Sequence, residues 1–121
     1  MQRLFASLMF CAVATFASAQ NRDINVKDTD AMRANAAKHA QQVDAAVILS
    51  EEQKPRVNEV YMVVERRLAA MNQRFDMAGM STEDRAAEMK SQWVGVEQMV
   101  EFQLAQILDK DQMVKWHEAV K

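Results

Sequence analysis

VILSEEQ at residues 47–53 and QILDKDQ at residues 106–112 open and close the segment around which this chain is organised. Each heptapeptide places a Leu before a residue able to cap a helix, and a Gln follows three positions after that residue. The Leu–cap–Gln sets are Leu49, Ser50 and Gln53, and Leu108, Asp109 and Gln112. Because a Gln at this spacing can reach back to the backbone amide of the cap, each heptapeptide predicts the start of a helix.

A long helix is predicted directly after the first heptapeptide cap, over residues 51–78. Its apolar residues recur with an unbroken 4-3-4-3-4-3 spacing, which is typical of a coiled-coil seam. The seam consists of Val57, Tyr61, Val64, Leu68, Met71, Phe75 and Ala78. Pro55 lacks a backbone N–H and leaves two alternatives for the helix start. Either the first turn after Ser50 is distorted, or regular helix begins near Lys54 with Pro55 at the first position.

Three further helices are predicted around this one. Gly79 suits the left-handed position after a helix end, and Ser81 then caps a third helix whose seam includes Trp93. A short last helix follows Asp109, and an Ala-rich first helix covers residues 30–46. With only two Gly and one Pro in the chain, we expect an all-α fold. Its core is a long antiparallel helical hairpin, with short flanking helices at the N- and C-terminal ends.

The first 19 residues differ from the rest of the chain and are predicted to be a secretory signal peptide. Arg3 precedes an apolar run over residues 4–16, and Ala-Ser-Ala at residues 17–19 is a small-x-small cleavage site. The run is shorter than the roughly 20 apolar residues of a membrane span, which disfavours an uncleaved anchor. Residues 20–28 are predicted to form a flexible arm and residues 29–121 the helical domain. We therefore expect no stable membrane insertion after cleavage.

Composition and motifs argue against several classes of function. Residues 1–19 contain Cys11, the only cysteine, so the processed chain has no disulfide or thiolate chemistry. They also contain Arg3, which leaves 14 of the 15 Lys and Arg against 17 Asp and Glu, and the net charge of −3 argues against nucleic-acid binding. The sequence has no catalytic motif, and we expect neither enzymatic activity nor a cofactor. His39 and His117 are weak candidates for metal ligands, because zinc needs three or four converging ligands.

The long helix carries a second surface away from its seam. When Tyr61, Leu68 and Phe75 take heptad position a, positions b, f, c and g form one contiguous face at 100° per residue. This face mixes apolar and basic side chains: Met62, Val63, Arg66, Arg67, Ala70, Arg74 and Met77. Two interpretations stay open. The flanking helices or a dimer partner could cover the face, or it could bind client proteins through Arg charges and adaptable Met side chains.

LSEEQ at residues 49–53 and LDKDQ at residues 108–112 resemble the paired LTxxQ motifs of the Spy/CpxP family of periplasmic helical proteins. Ser50 and Asp109 stand where the motif has Thr, and all three residue types can cap a helix. The predicted signal peptide, the mature size, the lack of cysteine and the hairpin also fit. The resemblance implies a thin, curved antiparallel dimer in the periplasm. It further implies an ATP-independent chaperone or an envelope-stress regulator, or, as in related proteins, a binder of zinc or other heavy metals.

The leading hypothesis is therefore a periplasmic chaperone-like or stress-adaptor protein that binds unfolded or partner proteins on the second surface of the long helix. The alternative is a periplasmic heavy-metal-binding sensor or resistance protein of the same fold. A homodimer is expected in either case. Cleavage would leave 102 of the 121 residues, and a chain of this size drawn into two helices of about 40 Å has little interior.

Overall fold

The computed structural model describes residues 24–121, and these residues form four α-helices and no β-strand. The helices are α1 (Asp30–Val47), α2 (Gln53–Met77), α3 (Thr82–Ile107) and α4 (Lys110–Ala119). For this part of the chain the predicted all-α fold is confirmed. The predicted signal peptide over residues 1–19, together with residues 20–23 of the predicted arm, lies outside the described residues.

Local hydrogen bonds set the helix boundaries. The Thr29 hydroxyl accepts from the amide of Met32 at 3.1 Å where α1 begins, and the Ser81 hydroxyl accepts from the amide of Asp84 at 3.1 Å where α3 begins. Gly79, just after the Ala78 cap of α2, has a φ of 64°, the left-handed conformation predicted for this glycine. These contacts join residues close in sequence, which is why a sequence pattern predicts them.

The start of α2 matches the first of the two alternatives for Pro55. Residues 51–52 form a turn, and the amides of Gln53 and Lys54 both donate to the carbonyl of Ser50 at 3.1 Å. Regular helix begins at Gln53, so Pro55 is its third residue. The Lys54 amide just before it still reaches Ser50, and Pro is tolerated in the first turn of a helix, where several amides have no helical partner.

The helix α2 is central to the packing, because it lies against both α1 and α3, while α4 lies against α1. Most of the predicted α2 seam is buried, although Leu68 is only partly buried and Ala78 is exposed. The largest fully buried side chains are Leu104, Val43, Val57 and Val96. With packed neighbours on two helices, α2 also buries Val60 and Met62, which lie outside the predicted seam. The thin Ala stripe of α1 contributes Ala36, which is completely buried.

Candidate functional site

The second surface of α2 is not the open binding face that the sequence predicts. Met62 is only 5% exposed and belongs to the hydrophobic core, so the prediction that this side chain is presented to clients is wrong. Periodicity along one helix identifies its main buried stripe but carries no information on whether a second neighbour covers another stripe. At this position the alternative interpretation holds, in which other parts of the chain cover the face.

Arg66, one turn beyond Met62, is held by the segment that precedes α1. Its Nε and Nη2 donate to the two carboxylate oxygens of Asp28, both at 2.9 Å, and its Nη1 donates to Glu59 at 2.7 Å. The hydrogen bond from Arg66 lowers the pKa of Asp28, and the hydrogen bonds to Asp28 and Glu59 raise the pKa of Arg66. Two carboxylates therefore already neutralise this guanidinium.

Gln73 binds the same segment two turns further along α2. The Asn25 amide donates to Gln73 Oε1 at 3.0 Å, and Gln73 Nε2 donates to the Asn25 carbonyl at 2.6 Å. One side chain thus satisfies both backbone groups of one residue. Together with Asp28 on Arg66, this contact holds residues 25–28 along α2, where they occupy one position, Arg66, that the sequence assigns to client binding.

The other predicted client-binding residues have different surroundings. Arg67 reaches towards α3, where its Nη2 lies 3.3 Å from the position that a Cβ would take at Gly95. Ala70 is partly buried, and Arg74 is exposed. Val63 and Met77 are 41% and 60% exposed. Only three of the seven predicted residues are therefore exposed.

Val63 belongs to a groove between α2 and α3. This groove has a volume of about 350 Å³, and Met99 and Ile107 of α3 line it opposite Val60 and Val63. Arg56 and Glu59 lie at the same groove with opposite charges. It therefore offers a small apolar surface without a net charge preference.

Both predicted capping boxes are present. The Gln53 Oε1 accepts from the Ser50 amide at 2.9 Å, and the Ser50 hydroxyl accepts from the Gln53 amide at 3.2 Å. The Gln112 Oε1 accepts from the Asp109 amide at 3.0 Å, and the Asp109 carboxylate accepts from the Gln112 amide at 2.8 Å. The leucines that precede the caps, Leu49 and Leu108, are each 6% exposed.

The two boxes also bind each other, which the sequence does not predict. The side-chain amides of Gln53 and Gln112 exchange hydrogen bonds of 2.8 and 3.0 Å. Gln53 Nε2 donates to the carbonyl of Ile107 at 3.0 Å, and Gln112 Nε2 donates to the carbonyl of Ile48 at 3.2 Å. The arrangement is nearly two-fold symmetric and ties the α1–α2 junction to the α3–α4 junction. The motif residues thus form a structural clamp rather than an exposed site.

A second concave surface, which we call the aromatic groove, is built by side chains of all four helices. It has a volume of about 410 Å³. Its defining residues are His39 of α1, Tyr61 of α2, Trp93, Glu97 and Glu101 of α3, and Trp116 of α4. The partly buried Val100 and the buried Val64 and Val96 form its aliphatic base. The groove thus combines aromatic rings and aliphatic groups with two carboxylates.

Both tryptophans of the chain lie at this groove. Trp93 is 41% exposed, although the sequence places it on the α3 seam, and Trp116 is partly buried. The seam prediction for Trp93 does not reveal that it lies at the same groove as Trp116. The available signal is the size of the indole group, since Trp is rarely buried completely and keeps a polar N–H that needs a partner or water.

Tyr61 and His39 form one wall of the aromatic groove. Their rings stack with centroids 5.1 Å apart and an interplanar angle of 21°. Tyr61 is 8% exposed, and this burial raises the pKa of its hydroxyl to about 12. The phenol therefore stays neutral over the whole physiological pH range.

The second histidine lies next to the same groove. His117 Nε2 is in direct contact with the Glu101 carboxylate, so α4 is linked to α3 at this point. The two metal-ligand candidates, His39 and His117, are thus both placed at the aromatic groove or beside it. Within residues 24–121, no three His, Cys, Asp or Glu side chains are grouped so that they could hold a metal ion.

None of the helices within residues 24–121 is both long enough and apolar enough to cross a membrane. Comparison with family models, with curated proteins and with solved structures finds no match to this chain.

Proposed function

We propose that this protein is a periplasmic, ATP-independent chaperone-like or envelope-stress adaptor protein that binds exposed apolar segments of unfolded or partner proteins. The aromatic groove carries this proposal. Residues of four helices line this one concavity, in which the indole of Trp93 is exposed above buried aromatic and aliphatic side chains, and its volume of about 410 Å³ falls in the range of ligand sites. The paired LSEEQ and LDKDQ pentapeptides resemble the LTxxQ motifs of the Spy/CpxP family. This resemblance is the basis for proposing the periplasm as the compartment and a chaperone or stress adaptor as the class of protein.

The place of binding differs from the one that the sequence suggests. On the second surface of α2, Met62 is buried and Arg66 is paired with Asp28 and Glu59. At the aromatic groove, by contrast, Trp93 is 41% exposed without any change of conformation. Large aromatic side chains supply much of the energy of protein interfaces, which favours the groove as the place where a client binds.

Suppression of client aggregation tests the proposal. The protein at near-stoichiometric ratio, without ATP, should slow the aggregation of a chemically unfolded client. Trp93→Ala should weaken this protection, because it removes an exposed indole ring from the groove. Val114→Ala is the control, since Val114 of α4 is 56% exposed and does not line the groove. Absence of protection by the wild-type protein would contradict the proposal.

A homodimer is part of the proposal. Val94 and Phe102 of α3 are 57% and 62% exposed and lie outside the aromatic groove, so a second copy has apolar surface to cover. Light scattering should give twice the monomer mass at micromolar concentration. Phe102→Glu should shift this mass towards the monomer, because a carboxylate would be desolvated in the interface. A folded monomer of the wild-type protein at that concentration would remove the dimer from the proposal.

The metal-binding alternative has no site in the described residues. Its candidates, His39 and His117, are engaged by Tyr61 and Glu101 respectively. Calorimetric titration with zinc, copper and nickel separates the two functions. Micromolar binding that His39→Ala or His117→Ala abolishes would favour the metal-binding protein.

A further inference from the structure

We infer that the aromatic groove takes a Lys or Arg side chain carried by an otherwise apolar segment of a client protein. The inference rests on the proposed function, because it specifies which segments of an unfolded protein the groove selects. It differs from the expectation drawn from the basic face of α2, which would attract acidic segments.

The charges of the groove are the first observation. Glu97 and Glu101 line it, and no Lys or Arg is among the described residues that do so. Glu101 is already in contact with His117, whereas Glu97 forms no salt bridge within residues 24–121. A cation entering the groove therefore meets at least one carboxylate whose charge is not already shared with another side chain.

The order of these residues along α3 is the second observation. Trp93, Glu97 and Glu101 are four residues apart in turn, so they form one stripe along the helix. A cation next to Glu97 consequently lies one helical turn from the indole ring of Trp93. Lys and Arg are attracted to the faces of aromatic rings, most strongly to Trp, so ring and carboxylate favour the same ligand group.

The surroundings of this stripe explain why the rest of the segment should be apolar. Val64, Val96 and Val100 line the groove, and Trp116 and Tyr61 add ring surface from two other helices. The aliphatic stem of Lys or Arg and a neighbouring Leu or Val can bury apolar area here while the charged head stays near Glu97. An acidic segment would instead place its carboxylates against Glu97 and Glu101.

The two tryptophans make the test direct, because both lie at the groove and the chain has no others. Short unstructured peptides of Ala, Leu and Ser, free of Trp, are prepared with Lys, Gln or Glu at the same positions. Their affinities for the full chain are measured by tryptophan fluorescence and by calorimetry. The Lys peptide should bind about tenfold more tightly than the Gln peptide, and the Glu peptide should bind most weakly. Added NaCl should reduce the difference in affinity between the Lys and Gln peptides.

A matched pair of variants locates the effect. Glu97→Gln should reduce the preference for Lys over Gln by about threefold, the size expected for one exposed charge pair. Glu88→Gln makes the same change on the same helix nine residues away, on the opposite side at 100° per residue, and should leave the preference unchanged. Trp93→Leu should lower the affinity for the Lys peptide more than the affinity for the Gln peptide. It removes the ring that attracts the cation but keeps an apolar side chain.

The outcomes separate this inference from the proposed function. Equal binding of the three peptides by the wild-type protein overturns the inference, and protection of clients in the same preparation leaves the proposed function standing. An equal effect of Glu97→Gln and Glu88→Gln also overturns it. If Glu97→Gln or Trp93→Leu changes the oligomeric state, a second copy occupies the groove and the inference is wrong. If the protein neither binds a peptide nor protects a client, both proposals fail.

Discussion

Gln53 and Gln112 lie 59 residues apart in the sequence, and each donates a hydrogen bond from its side-chain amide to the other, at 2.8 and 3.0 Å. Each also completes its own capping box and binds the carbonyl of Ile48 or Ile107. One pair of side chains thus closes two helix starts and joins the two ends of the central hairpin.

Removing either glutamine should destabilise the fold measurably. Gln53→Ala breaks the bonds to Gln112, Ile107 and the Ser50 amide in one step, and we expect the free energy of unfolding to fall by about 2 kcal/mol. Urea denaturation followed by circular dichroism measures this change. Gln98→Ala, on an exposed position of α3, is the control and should be close to neutral.

Because Gln53 and Gln112 bind each other, the losses of stability caused by their substitution should not be additive. The double variant Gln53→Ala with Gln112→Ala should lose roughly 1 kcal/mol less than the sum of the single losses, because their shared bonds are lost only once. Additive losses would mean that the two boxes act independently. In that case the contact between them contributes nothing to stability.

Ile48 is a position where substitution by glycine should stabilise the protein. Its φ of 58° is strained for a residue with a branched side chain. The side chain is 77% exposed, so little buried apolar area offsets this strain. Left-handed backbone costs a residue with a Cβ about 1–2 kcal/mol, part of which the greater freedom of glycine in the unfolded chain offsets. Ile48→Gly should therefore raise the free energy of unfolding by roughly 0.5–1 kcal/mol.

Ile48→Ala separates backbone strain from side-chain effects. Alanine keeps a Cβ and so keeps the strain, and this variant should show no comparable gain in urea denaturation. A loss of stability in Ile48→Gly would show that the isoleucine side chain contributes more than its exposure indicates.

Tyr61 should ionise only at strongly alkaline pH. It is the only tyrosine of the chain, so absorbance near the phenolate band reports on it alone. Burial raises its pKa to about 12 in the folded protein, whereas an unfolded tyrosine titrates at about 10. Between these values the unfolded state releases the proton first, so stability should fall as pH rises from about 10 to about 12.

The same titration in denaturant supplies the reference value for Tyr61. Tyr61→Phe should lose the absorbance change and most of the stability change over this pH window. If Tyr61 titrates near pH 10 in the folded protein, its hydroxyl is accessible to solvent and the expected shift is wrong.

The contact between Asp28 and Arg66 should keep the segment before α1 on α2. Asp28→Asn leaves the shape of the side chain but removes its charge, so hydrogen exchange at residues 25–29 should become faster while exchange within α2 is unchanged. Asp30→Asn is the control, because Asp30 pairs with Arg33 on α1 itself.

The pH dependence of this contact follows from the pKa of Asp28. Arg66 lowers that pKa in the folded state, so the ion pair is complete above the ordinary carboxyl pKa and is lost as pH falls through the folded value. The protection of residues 25–29, taken relative to the intrinsic exchange rate at each pH, should therefore fall at acid pH in the wild-type protein and not in Asp28→Asn. Identical profiles for the two proteins would contradict the assigned role of the ion pair.

Features that depend only on neighbouring residues could be predicted from the sequence. Ser50 with Gln53 and Asp109 with Gln112 form the predicted capping boxes because all their atoms lie within one helical turn. Gly79 ends α2 for the same local reason. The all-α fold follows from such signals together with the regular spacing of apolar residues along α2.

Contacts between distant residues, by contrast, depend on how the helices pack and could not be predicted. Met62 is buried because a second packed neighbour covers a stripe that periodicity assigns to the surface, and Arg66 binds Asp28, which is 38 residues earlier in the chain. Trp93 and Trp116 lie at one groove because the packing of α3 and α4 brings both residues to the same concavity. Such contacts depend on how whole helices pack, and the spacing of residues within one helix does not contain that information.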